Sequence, residues 1–66
     1  MTESLSLEAL ARSHALASEA VSGLALQAGA AQSMPADALA LYLSALAGAA
    51  QMERACGLLL SWESQR

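Results

Sequence analysis

One segment of the chain is able to break a helix: "AGAAQSMP", residues 28–35, which ends in the only proline. Proline lacks an amide hydrogen and its ring collides with the preceding turn, so a helix tolerates it only at the start. Gly29 offers the left-handed residue that ends one helix, and Ser33 offers a cap for the next. Asp37 stands beside the same amino end, where the helix dipole favours an acid. Ala and Leu dominate on both sides of this break, Val21 is the only valine, and Ile and Phe are absent. No run alternates with period two, so no strand competes. Two helices joined by a connection of a few residues pack antiparallel. The expected fold is all-α, a two-helix antiparallel hairpin with helices over about 6–28 and 34–63 and a turn at 29–34, in a single domain spanning 1–66.

Ser6 reads as the first N-cap, with Thr2 competing for that role, and Leu5 and Leu10 occupy the two positions of a hydrophobic staple. Glu8 lies in the first turn and four residues before Arg12, the better order for a helical ion pair. A seven-residue pattern places Leu7, Leu10, His14, Ala17, Val21, Leu24 and Ala28 on one stripe, with Glu8, Arg12 and Glu19 opposite. The second helix is weakened by Gly48 and Gly57 but not ended by them. It has two apolar stripes, separated by about 140–160° at 100° per residue.

The longer of the two stripes holds Leu41, Ala45, Ala49, Met52, Cys56 and Leu59. Its small residues suit close approach, so it is expected to face the first helix, with His14 opposite Ala49 and Val21 opposite Tyr42. The other stripe, Leu39, Leu43, Leu46 and Ala50, is then left outward as a docking surface. By the same register "GLLLSW" runs past Leu7, where Leu58, Leu60 and Trp62 either pack on the N-terminal segment "MTESL" or extend that surface, a Trp at the edge serving as an anchor.

A chain of 66 residues buries only about 60% of the surface its unfolded form exposes. Most of its apolar residues are Ala and Leu, and each Ala brings only one methyl group of about 0.8 kcal/mol. A lone monomer is therefore not the expected state, and the hairpin should complete a bundle by dimerisation or partner binding.

The net charge of −3, with three Arg and no Lys, supplies no basic footprint for a nucleic acid or an anionic membrane surface. From Ala38 to Met52 the chain is free of charge over 15 residues, fewer than the roughly 20 of a membrane span, so a membrane-associated small protein is the alternative and not the leading reading. Cys56 is the single cysteine, which excludes an internal disulfide framework and fits a reducing compartment. "MTESLSLEAL" has acids where a secretory signal has bases, so a cytoplasmic location is expected. Abundant Ala without Lys, Asn, Ile or Phe points to a GC-rich bacterial genome.

No catalytic constellation is visible. His14 is the only imidazole, and two helical turns separate its expected level from that of Cys56, so both are read as packing residues. The six acids are scattered, in no spacing that suits metal binding or acid/base work. No glycine-rich phosphate loop follows a strand, and two helices enclose too little volume for a small-molecule site. The chain is expected to be neither an enzyme nor the holder of a metal or cofactor.

What the residues predict instead is a small interaction protein: an adaptor, regulator or chaperone-like module acting by occupying a surface. A homodimer would form a four-helix bundle, and a small hetero-complex would lay the same face into a partner protein. The turn "GAAQSMPAD", the tyrosine early in the second helix ("LALYLSAL") and the small-residue stretch "ERACGLLL" together give a layout that resembles the small co-chaperones of type III secretion needle subunits. The resemblance implies a helical hairpin that pairs with a helical-repeat chaperone and keeps the needle subunit from polymerising in the cytoplasm.

Overall fold

A computed structural model describes residues 5–65, all-helical apart from caps and turns. The elements are α1 (Leu7–Ala25), α2 (Ala28–Ala31) and α3 (Ala36–Ser64), and the two long ones, α1 and α3, pack on each other. Ser6 caps α1 as expected, its extended backbone letting the hydroxyl accept the Ala9 amide at 3.1 Å. Thr2, the competing cap, lies outside the described residues. Glu8 and Arg12 pair at 3.1 Å on the exposed side of α1, where such a pair contributes a few tenths of a kcal/mol.

The break works differently from expectation. No described residue has a positive φ, so Gly29 is not a left-handed helix stop. The first long helix ends at Ala25, not near Ala28. Leu26 and Gln27 close it by donating to the carbonyls of Ser22 and Leu24 at 3.1 and 3.0 Å. The chain then makes one more helical turn, α2, because its "AGAA" is rich in the best helix former and carries Gly29 without strain. Pro35, in extended conformation (φ −62°, ψ 160°), is itself the residue that precedes α3, so Ser33 does not cap it. Asp37 takes up a first-turn donor instead, accepting the Ala38 amide at 2.9 Å.

The seam between the long helices is buried or half-buried at Leu10, His14, Ala17, Val21 and Leu24 on α1, the middle of the predicted stripe, whereas its two ends, Leu7 and Ala28, are exposed. On α3 it runs through Leu39, Tyr42, Leu46, Ala49, Glu53, Cys56 and Leu60, steps of three and four that make a coiled-coil-like stripe. This corrects the expected face. Leu41, Ala45, Met52 and Leu59 are exposed, whereas Leu39 and Leu46, expected outward, are half-buried toward α1.

The register is corrected too. Ser18 bonds Glu53, and His14 lies against Gly57, so neither Ala49 nor the overhang of "GLLLSW" is where the shorter turn would put it. The extra turn α2 and the late start of α3 move the centre of the hairpin toward Pro35, and the last turns of α3 run beside the first turns of α1. The result is a rod with principal extents of 50 × 20 × 14 Å. Its smallest extent is close to one helix diameter, about 10–12 Å. The long helices thus share a seam and leave both flanks uncovered.

Candidate functional site

Polar groups in the seam are matched rather than poised. The Ser18 hydroxyl donates to the Glu53 carboxylate, and the Tyr42 hydroxyl donates to the Leu24 carbonyl at the end of α1. Burying these groups without partners would be costly, so they help fix which stripe of α3 faces inward. Gly57 accommodates the imidazole, since a Cβ added there would stand 3.4 Å from His14 Nε2. Cys56, next to it, is a free thiol only 5% exposed. His14 and Cys56 therefore lie at neighbouring levels, not two turns apart. Among the described residues no three of His, Cys, Asp and Glu gather as a metal site, and no helix is long and apolar enough to cross a membrane.

The feature with the most distinctive geometry is a groove along one flank, about 470 Å³ in volume, lined by Ser13, Leu16, Ala17, Ala20, Gly48, Ala49 and Met52. Two helices thus do leave a volume of small-molecule size, contrary to expectation, but as an open groove and not an enclosed pocket. Its α1 wall continues a stripe at steps of three and four, Ala9, Ser13, Leu16, Ala20 and Gly23. The α3 wall does the same through Leu41, Ala45, Gly48, Met52, Ala55, Leu59 and Trp62. Neither wall contains a charged residue. The side chains standing out of it are large: Leu16 is 60% exposed, Leu41 73% and Met52 55%. Between them lie glycines and alanines, and a Cβ at Gly48 or Gly23 would meet nothing within 4 Å. The groove is thus a field of knobs and hollows.

Of the residues singled out from sequence, Leu39, Leu46 and Leu60 lie half-buried on the seam, while Leu43 and Ala50 are exposed on the flank away from the groove. Trp62, exposed, is at the end of the groove's α3 wall. The structure does not bring these six onto one surface. Among the residues that shape the groove, Gly48 and Met52 are expected from sequence toward α1, Leu16 is an apolar residue off the predicted α1 stripe, and Ala20 belongs to no predicted stripe. Their signal is present in the sequence as a second heptad beside the seam on each helix, which becomes visible once the register is known. No family model matches this chain, and neither a curated protein nor a solved structure with significant similarity was found.

Proposed function

We propose that the chain is a small non-enzymatic interaction module whose working surface is the charge-free groove flank between α1 and α3. The observation that carries this reading is the contrast between what is buried and what is not. Among the described residues the buried apolar ones are Ala17, Ala31 and Cys56, while Leu16, Leu41 and Met52 stand in solvent around the groove. A chain that keeps its small residues inside and presents large ones on a face without charge has the surface of a half-completed bundle. Among the described residues Ser13 is the only polar one lining the groove, which suits a protein face better than a polar substrate.

The occupant is a protein, either a second copy or a partner in a small hetero-complex. Likeness in layout to needle-subunit co-chaperones gives the second case a concrete class, a helical-repeat chaperone. A cytoplasmic location belongs to the same proposal, since the lone thiol of Cys56 suits a reducing compartment.

A photo-crosslinking residue placed at Met52 in living cells tests the reading, with the same residue at Arg54, on the other flank, as control. Adducts from position 52 and none from position 54 are expected. Absence of any adduct from 52, or equal yields from both, overturns the proposal.

A further inference from the structure

Resting on that reading, we infer that the groove is covered by a second copy of this chain, related by a two-fold axis that lies in the plane of the flank, perpendicular to the helices, at the level of Ser18 and Glu53. The area supports one occupant of this size. The chain exposes 4977 Å², whereas a compact monomer of its 6.7 kDa would expose only about 3,900 Å². A compact particle of twice that mass would expose about 6,500 Å². Pairing two hairpins into one would thus remove on the order of 3,500 Å² from water, within the range of obligate homodimers. The groove walls add no charge repulsion, because the acids responsible for the net charge lie elsewhere.

The pattern of sizes favours a second copy over a different protein. A two-fold axis crossing α1 at Ser18 sets Leu16 of one copy opposite the partner's Ala20, and the reverse. An axis crossing α3 between Glu53 and Arg54 sets Met52 opposite the partner's Ala55, Leu59 opposite the partner's Gly48, and Trp62 opposite the partner's Ala45. Each pair joins a large side chain to a small one, as interdigitating layers require. The two crossings are at the same height, because Ser18 and Glu53 are hydrogen-bonded across the seam. One axis therefore satisfies both helices, stacking α1 on α1 and α3 on α3 in antiparallel pairs. An unrelated partner would give no reason for this coincidence of centres.

The test is sedimentation equilibrium of the full chain across micromolar concentrations, with Gly48→Glu and Leu43→Glu beside it. Gly48→Glu meets no atom within 4 Å of its Cβ inside the hairpin, so helicity should persist while the partner's Leu59 is met by a charge. The expected results are a wild-type mass of twice 6.7 kDa, a dissociation constant raised about a hundredfold or more by Gly48→Glu, and no change with Leu43→Glu. A wild-type monomer throughout overturns the inference, as does dissociation by Leu43→Glu but not by Gly48→Glu.

Should Gly48→Glu fail to fold, isotope-filtered NMR on mixed labelled wild-type chains decides. Contacts between copies from Met52 to Ala55 and from Leu16 to Ala20 support the dimer, and contacts from Leu43 or Leu58 instead overturn it. A monomeric chain that still gives a face-specific adduct with another protein from position 52 overturns the second copy and leaves the docking reading standing. Loss of both overturns both.

Discussion

The Leu24 carbonyl, at the end of α1, accepts from the Gln27 amide and from the Tyr42 hydroxyl of the other long helix. One oxygen therefore closes a helix and holds its neighbour in register. Tyr42→Phe keeps the ring and removes only the donor. It is expected to lower stability by about 1 kcal/mol, the usual net worth of a partly buried hydrogen bond. Chemical denaturation monitored by far-UV circular dichroism checks this, and an unchanged midpoint would mean that the bond contributes nothing in solution. The Ser18–Glu53 pair is a second polar tie in the seam. It places a carboxylate where a coiled coil would ordinarily carry an apolar residue, at a cost in stability and a gain in alignment.

Among the elements, the seam of α1 was readable from sequence between Leu10 and Leu24 because Glu8, Arg12 and Glu19 mark its opposite side, although Leu7 and Ala28, at the ends of the predicted stripe, are exposed. α3 was not, since its stretch from Ala38 to Met52 carries no charge and leaves more than one apolar stripe equally able to face inward. The choice between them turned on the Tyr42 hydroxyl, the Glu53 carboxylate and the room at Gly57, local matches that hydrophobic periodicity does not weigh. The candidate groove was hidden for the same reason, because its walls are defined only after the seam is known.

The connection departs from expectation because Gly29, a residue suited to ending a helix, has ordinary helical geometry in α2 and open space around it. Gly29→Ala is therefore expected to stabilise the chain by about 0.4–1 kcal/mol, through loss of freedom in the unfolded state. A destabilising result would restore the left-handed turn. Gly57→Ala, whose new methyl would touch His14, should gain less, and thermal denaturation of the two variants side by side compares them.

For the whole molecule, the radius of gyration of 15.2 Å exceeds the roughly 11 Å of a compact chain this long. The described residues form a single layer, without a second one packed on it. If a second copy supplies that layer, the melting midpoint should rise with protein concentration, since association binds the folded form alone. The midpoint of Gly48→Glu should be lower and independent of concentration, and a flat wild-type response would separate folding from association. Cys56 offers a way to follow the other interface, the one within the chain. Its thiol is held inside the seam, so a maleimide can reach it only when α1 and α3 come apart. The labelling rate then times the opening of the hairpin with no engineered probe, and a second copy seated on the groove should slow that clock without ever touching the sulfur.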